Sequence, residues 1–273
     1  MNNRPLDRSS ITILGEENME GSKHVTEKDR PCVKPLALKR QTNVIIVVIA
    51  IVLWSIAFFL WRQAELDKWL LISQNGLRTN ERVVSAAQIA TQYGMSIITL
   101  IYLIYLLLAF KNEKLRDAYP VYLLVFLMFG IAGISGDILK EVFNRPRPFV
   151  EYAGEINAFS KAATSAFPSG HATKSMALAL PFLIFITAKD NWHKGLKILL
   201  ATIAIGVCYS RVLLGAHYVS DVLAGAGMAL ICIPLVIPLN NKILRQMTRK
   251  RLNIAIKVWA LILFVLMFVL IAL

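Results

Sequence analysis

Seven apolar runs, each close to the length of a membrane-crossing helix, constrain the fold of this chain more than any other feature. A helix needs about 20 mostly apolar residues to cross a bilayer. Runs near that length occupy 43–61, 93–110, 119–138, 172–188, 198–212, 218–239 and 257–273. A single short run could be a buried core helix, whereas seven in series predict an all-α, polytopic membrane helix bundle. The second and fifth runs are short and would depend on neighbouring helices for their burial.

Composition supports a membrane protein and excludes several other classes. Apolar residues make up 56% of the 273 residues and charged residues 17%, whereas soluble domains carry about 25% charged residues. This excludes a cytosolic enzyme and a disordered protein. The net charge of +13 does not indicate a nucleic-acid partner, because so apolar a chain has the lipid bilayer as its surroundings. The 3 cysteines are too few for a disulfide framework.

The distribution of Lys and Arg predicts which way the bundle points. If the N-terminus is cytoplasmic, the inner segments carry about twice as many Lys and Arg residues as the outer ones, as cytoplasmic loops do. The chain then divides into a polar cytoplasmic tail at 1–42, a membrane core at 43–240, and a basic loop with an extra transmembrane helix at 241–273. Within 62–92, the apolar stretch from Trp69 to Ile72 has polar flanks and favours an interfacial helix.

Three polar clusters lie at the predicted outer ends of the third to sixth runs. Placing polar residues in or beside a membrane costs free energy, so their clustering indicates a functional role. The first contains Lys140 and Arg147-Pro148, with an extra Arg145-Pro146 between them; the second is Pro168-Ser169-Gly170-His171; the third contains Ser210-Arg211, His217 and Asp221. The three clusters can converge if those helices form one bundle.

His217 and Asp221 form a pair that suits a nucleophile or a base. Their spacing of four places them on one face of a helix, and a carboxylate beside an imidazole fixes its tautomer and raises its basicity. Arg211 offers a planar fork suited to phosphate oxygens. Lys140 and Arg147 add two positive charges, so the three cations together favour a dianionic ligand. Taken singly, the pair could be an interfacial histidine with a polar partner, and each cation could snorkel towards lipid headgroups.

His171 supplies a second imidazole. Pro168 and Ser169 predict a helix start whose free N–H groups point at an anion, and Gly170 lets the backbone approach closely. In the first turn, His171 could protonate a leaving oxygen; the alternative is an N-terminal histidine in water. Phosphoryl transfer through a covalent histidine needs two such residues and no metal. Two histidines and an acid could instead bind zinc, but no third ligand or zinc motif accompanies them.

In this order and spacing, the clusters resemble the three-part signature of the type-2 phosphatidic acid phosphatase superfamily: Lys-x6-Arg-Pro, Pro-Ser-Gly-His, and Ser-Arg-x5-His-x3-Asp. The resemblance covers roughly 45–240 and implies a six-helix membrane core, to which the run at 257–273 would add a seventh helix. It also implies that His217 is the nucleophile, Asp221 its orienting partner and His171 the general acid, with no cofactor or metal. The phosphate oxygens would be held by Lys140, Arg147, Ser169, Gly170 and Arg211.

The resemblance implies an integral-membrane phosphatase that hydrolyses the phosphate monoester or diphosphate of a lipid at the non-cytoplasmic face through a phosphohistidine. Lys174, one turn after His171, could reach a second phosphate, although it could also snorkel beside the site. Together, a second-phosphate contact at Lys174 and an outward-facing site favour polyprenyl (undecaprenyl) diphosphate as the substrate. A lipid A or glycerophospholipid phosphatase and a lipid phosphotransferase are alternatives with the same headgroup chemistry. A transporter that binds a phosphate headgroup is a different class, and it has no use for a nucleophile opposite an acid.

Overall fold

The computed structural model describes residues 34–109, 115, 118–156, 158–159, 164–188 and 190–272, and all their regular structure is helical. Most of the polar tail predicted at 1–42 lies outside the described residues, as does the last residue of the run at 257–273. The helices are α1 (Arg40–Arg62), α2 (Ala64–Asn75), α3 (Glu81–Ala109), α4 (Tyr119–Phe143), α5 (Pro148–Glu151), α6 (Gly170–Phe185), α7 (Asn191–Leu213), α8 (Val219–Arg245) and α9 (Arg249–Ala272), with a short 3₁₀ turn at Gly76–Thr79.

Five helical segments of the described chain are long and apolar enough to cross a membrane, namely α1, α3, α4 with α5, α7 and α8. The predicted all-helical membrane bundle is therefore confirmed, and the protein is an integral membrane protein. On the fourth predicted run, α6 has 16 residues, and the carbonyl of Leu183 near its end accepts a hydrogen bond from Lys197 Nζ (2.8 Å). On the seventh predicted run, α9 has 24 residues.

The second and fifth spans are longer than predicted from hydropathy. α3 begins well before residue 93 and α7 well before residue 198. Both starts are polar and are stabilised by capping side chains, which leave no hydropathy signal. Asn80 Oδ1 accepts the N–H of Arg82 (3.0 Å) at the start of α3, and Asp190 Oδ1 accepts the N–H of His193 (2.8 Å) at the start of α7. Both helices still bury about half of their most apolar stretch inside the bundle, as predicted.

α8 lies at the centre of the bundle, because α1, α4 and α6 all pack against it. α6 also contacts α4 and α7, and α3 packs between α7 and α9. The close approach of α6 to α8 depends on Gly225, where a methyl group would lie 2.6 Å from the carbonyl oxygen of Ser169. Small residues allow such approaches between membrane helices, and this one brings the start of α6 next to the first turns of α8.

The two ends of the bundle carry different residues. At one end, called the cluster end from here on, α1, α4 and α7 finish while α6 and α8 begin, and the connections contain the three polar clusters. At the opposite end, Asn241 of α8 fixes the chain that precedes α1. Its amide exchanges two hydrogen bonds with the backbone of Leu36 (2.9 and 2.7 Å). The clusters and the segment before α1 therefore lie at opposite ends of the bundle.

Candidate active site

The three polar clusters converge at one point of the cluster end. Arg147 Nη1, from the first cluster, lies 3.3 Å from His217 Nε2, from the third. His171, from the second cluster, interacts electrostatically with Arg211, His217 and Arg147. The structure thus places both predicted imidazoles and two of the predicted phosphate-binding arginines in one buried region.

His217 lies in the loop 214–218 between α7 and α8, called the nucleophile loop below, and not on a helix as its spacing to Asp221 predicts. α8 begins only at Val219, because the Asp221 carboxylate accepts the backbone N–H of Tyr218 (2.9 Å) and caps the helix. The pair still forms, with His217 Nδ1 3.4 Å from Asp221 Oδ2. At this distance the two groups interact electrostatically without a hydrogen bond. The carboxylate lies beside Nδ1, while Nε2 is on the side of Arg147.

Burial and positive charge set the protonation state of His217. Desolvation, followed by the charges of Arg211 and Arg147, holds the pKa of His217 well below its usual range. The imidazole is therefore neutral at neutral pH, with one ring nitrogen carrying a free lone pair. If that nitrogen is Nε2, it can accept a hydrogen bond from Arg147 in this structure and can attack an electrophilic phosphorus atom.

Arg147 is held in place by oxygen atoms from two segments. Its Nε donates to the carbonyl of Thr164 (2.6 Å) and its Nη2 to the hydroxyl of the same residue (2.9 Å). Its Nη1 donates to the carbonyl of Ala216 (3.1 Å). These acceptors are uncharged, so they orient the guanidinium without neutralising it. Because Ala216 directly precedes His217, the same contacts also fix the nucleophile loop.

Arg211 and Ser169 contribute donors that are buried and unpaired. Arg211 Nη1 donates to Thr91 Oγ1 of α3 (2.6 Å), but Arg211 Nε has no hydrogen-bond partner among the residues that the structure describes. The same is true of the Ser169 hydroxyl, while the Ser169 N–H donates to the carbonyl of Asp221 (2.9 Å). Buried polar atoms are normally paired, so these two donors are available to an anionic ligand.

Lysine side chains complete the positive surroundings. Lys140 reaches the start of α6, where a methyl group at Gly170 would lie 3.2 Å from its Nζ atom. Its Nζ also pairs with Asp137, one turn earlier on α4 (2.8 Å), and this carboxylate was not predicted. Lys174 packs against α4, where a methyl group at Gly133 would lie 3.2 Å from its Cε atom, and its charge acts on His171. Every site residue predicted from the sequence thus lies at or beside the convergence of the clusters.

Two further charged residues belong to this region, although the sequence patterns assign them no role. Arg145 forms ion pairs with Asp67 of α2 (3.0 Å) and with Asp221 (2.7 Å), and all three side chains are buried. The sequence shows Arg145 only as an extra Arg-Pro within the first cluster. Asp67 is visible only as one of the polar residues that flank the predicted interfacial stretch, and its partner Arg145 lies 78 residues away.

All three polar clusters lie within the part of the chain that matches a known protein family. The sequence model of the PAP2 superfamily matches residues 121–245. Phosphatidylglycerophosphatase B of Bacillus subtilis is 34% identical over 128 residues, which are 45% of this chain and 60% of that protein. Undecaprenyl-diphosphatase BcrC of Bacillus subtilis is 27% identical over 173 residues, which are 52% of this chain and 86% of that protein. The chain thus spans less than two thirds of the first of these relatives.

A solved structure shares the helix arrangement. The crystal structure of a transmembrane PAP2 type phosphatidylglycerolphosphate phosphatase from Bacillus subtilis superposes with a TM-score of 0.51. The match covers 74% of this chain and 96% of that chain at 22% sequence identity. At this level of identity, the likeness supports the fold of the bundle and leaves the chemistry to be argued from the side chains.

Proposed function

The chain belongs to the PAP2 superfamily, and from this premise we propose that it hydrolyses the phosphate monoester or diphosphate of a lipid through a phosphohistidine intermediate. The observation that carries the proposal is the position of His217, which lies between the Asp221 carboxylate and the Arg147 guanidinium. A protein that only bound a phosphate headgroup would need the cations, but it would gain nothing from an imidazole oriented by a carboxylate.

The two imidazoles divide the chemistry into two steps. In the first step, Nε2 of His217 bonds to phosphorus while the bond from phosphorus to the leaving oxygen breaks, and His171, which enters this step as an imidazolium beside the bound anionic phosphate, gives a proton to that oxygen and becomes neutral. The lipid alcohol then departs, or a lipid monophosphate if the substrate is a diphosphate. In the second step, His171 takes a proton from water, the water oxygen bonds to phosphorus, and the P–N bond breaks. Inorganic phosphate leaves, and His217 is neutral again.

The cations supply the electrostatic part of catalysis. Negative charge spreads over the equatorial oxygens of the transferred phosphoryl group, and preorganised donors at those oxygens usually make the largest contribution to the rate. We assign this role to Arg147, Arg211 and Lys140, with the Ser169 hydroxyl and the N–H groups at the start of α6 as uncharged donors. These groups can neutralise the phosphate, so the proposed mechanism uses no metal ion.

The surroundings of Lys140 support a lipid as the substrate. Phe143 lies one turn beyond Lys140 on α4 and lines a cavity of about 600 Å³ together with Phe58, Trp61 and Arg62. Aromatic walls suit a hydrocarbon chain, and the cavity lies one turn along α4 from Lys140, one of the cations proposed to hold the phosphate. Many large apolar side chains on the outer faces of the helices are exposed as well, which suits contact with lipid.

Phosphate release from the full-length protein in detergent tests the proposed activity. A side-by-side panel of a polyprenyl diphosphate, phosphatidylglycerophosphate, phosphatidate and lipid A, each assayed with and without EDTA, would identify the substrate class. We expect release from at least one of these lipids and no loss in EDTA. Binding without release would instead support a headgroup transporter. Transfer of phosphate to an added lipid rather than to water would support a phosphotransferase.

Lys174 supports a diphosphate as the preferred headgroup, since it follows His171 by one turn of α6, its charge acts on His171, and it could bind the second phosphate. Replacing Lys174 by alanine is expected to lower kcat/KM for a polyprenyl diphosphate by about 10- to 10²-fold more than for the matching monophosphate, because one charge-assisted hydrogen bond contributes about 1.5–3 kcal/mol. Steady-state kinetics on both substrates measure the ratio. Lys194→Ala removes an exposed lysine at the opposite end and serves as the control. An equal loss on both substrates would contradict this role for Lys174.

The site is proposed to face the periplasm or cell exterior, with the N-terminus in the cytoplasm. Support comes from the excess of Lys and Arg in the segments at the opposite end and from the attachment of Leu36 there. In a background without Cys32, Cys208 and Cys232, a membrane-impermeant maleimide should label Glu81→Cys in intact cells. It should label Gln246→Cys only after the membrane is permeabilised. The reverse pattern would place the site on the cytoplasmic side.

A further inference from the structure

The helix α2 carries polar residues on the side that faces the bundle. Asp67, Leu71 and Asn75 follow one another at intervals of four and are buried, whereas Leu66 and Trp69 are exposed. An amphipathic helix normally buries its apolar residues and exposes its polar ones, yet Asp67 has no exposed surface at all. A buried carboxylate is costly unless it is paired, so the position of α2 depends on the partners that Asp67 finds.

Those partners lie on both sides of the catalytic histidine. The Asp67 carboxylate accepts hydrogen bonds from the hydroxyl and from the backbone N–H (3.3 Å) of Ser220, which is in the first turn of α8. Two turns along α2, the Asn75 amide donates to the carbonyl of Leu213 (2.9 Å), the last residue of α7. α2 is thus fixed to the residues that precede and follow the nucleophile loop, and it braces the loop that holds His217.

Arg145 extends the connection from Asp67 to the catalytic pair. Its guanidinium lies between Asp67 (3.0 Å) and Asp221 (2.7 Å) and stacks over the Tyr218 ring, 3.9 Å from the ring centre. An arginine paired with Asp221 alone would neutralise the carboxylate that orients His217. With Asp67 as a second partner, the two carboxylates and the guanidinium together carry one net negative charge. The charge of Asp221 is then not fully neutralised, and it can still attract and orient the His217 imidazole.

We propose that Asp67 is a positioning residue for His217, acting through Arg145 and Asp221, with α2 as the brace of the nucleophile loop. The proposal rests on the proposed function, in which His217 attacks phosphorus. In this arrangement Asp67 does not touch the substrate, and the cations that hold the phosphate are not bound to it. Its loss should therefore slow the attack by His217 and leave the affinity for the lipid unchanged.

Three matched variants test the kinetic part of this proposal. Asp67→Asn keeps the size of the side chain and removes its charge, Asp67→Glu keeps the charge, and Glu65→Gln removes an exposed carboxylate from the same helix. Asp67→Asn is expected to lower kcat between about 10- and 10²-fold, as misplacement of a catalytic group does, with KM unchanged. Asp67→Glu should recover part of the loss, and Glu65→Gln should match the wild type. Unchanged kcat in Asp67→Asn, or an equal loss in Glu65→Gln, would overturn the proposal.

A measurement that needs no turnover separates this proposal from the proposed function. The ¹⁵N chemical shifts of histidine rings report their tautomers, and His217→Gln assigns the signals of His217 in the detergent-solubilised protein. Asp67→Asn should shift these signals and Glu65→Gln should not. Unmoved signals in Asp67→Asn overturn the role of Asp67 even if the wild type is an active phosphatase. Shifted signals in a protein that hydrolyses no lipid phosphate would support the brace and refute the proposed function.

If neither Asp67 variant is monodisperse in detergent, the variant Asn75→Ala tests whether α2 braces the nucleophile loop. This change removes the tie to Leu213 without leaving a buried charge unpaired. It is expected to lower kcat and to shift the ring signals of His217, because Leu213, which directly precedes the nucleophile loop, loses this hydrogen bond to α2. A kcat and a set of His217 signals identical to those of the wild type would overturn the brace.

Discussion

Replacing His217 by alanine is expected to lower the turnover of a lipid phosphate by at least about 10⁴-fold, as loss of a covalent nucleophile does. The remaining cations can still bind the phosphate, but no phosphohistidine can form at this position. The protein should stay folded, because the cap of Asp221 on Tyr218 and the ion pairs of Arg145 do not involve the imidazole. Phosphate release measures the rate, and alkali-stable, acid-labile phosphate bound to the protein measures the intermediate.

His193 provides a matched control for this change. It lies near the start of α7 at the opposite end of the bundle, where its Nδ1 atom is 2.7 Å from Asp190 Oδ1. His193→Ala should release phosphate at the wild-type rate and carry the same protein-bound phosphate. If His217→Ala turned over within about tenfold of the wild type, far from what loss of a covalent nucleophile costs, His217 would not be the nucleophile and the two-step mechanism would be wrong.

The helices of this protein could be predicted from hydropathy because a bilayer requires long apolar runs. Their ends could not. α3 and α7 begin in polar turns that are stabilised by the side chains of Asn80 and Asp190, and such turns look like loops in a hydropathy profile. His217 lies just outside α8 for a related reason, since Asp221 both caps that helix and faces His217. One carboxylate with two roles places His217 in a loop where the spacing alone predicts a helix.

The residues of the site differ in how much of their role is visible in the sequence. The three clusters are visible because the members of each lie within a few residues of one another. The ion pair of Arg145 with Asp67 is not visible, because it depends on how α2 crosses the start of α8. A lone acid in an amphipathic stretch has no pattern that points to a partner 78 residues away. Spacing along the chain thus predicts which side chains could take part in the chemistry. The side chains that hold them in place, such as Asp67, depend on tertiary packing and leave no pattern in the sequence.

Among the cations proposed to hold the phosphate, Arg211 is the one whose replacement we expect to lower activity most, second only to the replacement of His217. Its buried side chain is oriented by Thr91 (2.6 Å), and its Nε–H is unpaired within the described residues. Arg211→Ala should therefore lower kcat/KM by about 10²–10³-fold, the typical effect of removing one donor to transition-state charge. Arg211→Lys should retain part of the rate, because an ammonium keeps the charge but loses the planar fork.

Vanadate distinguishes a transition-state contact of Arg211 from a general effect on the fold. Vanadate adopts the trigonal arrangement of the transferred phosphoryl group, so a residue that stabilises this state should affect vanadate inhibition and kcat/KM in parallel. Inhibition of Arg211→Ala should thus weaken by a factor similar to its loss of kcat/KM. Arg245→Ala, at the far end of α8 and exposed, should change neither quantity. If Arg211→Ala lost activity but kept wild-type inhibition by vanadate, Arg211 would act on protein structure rather than on the phosphate.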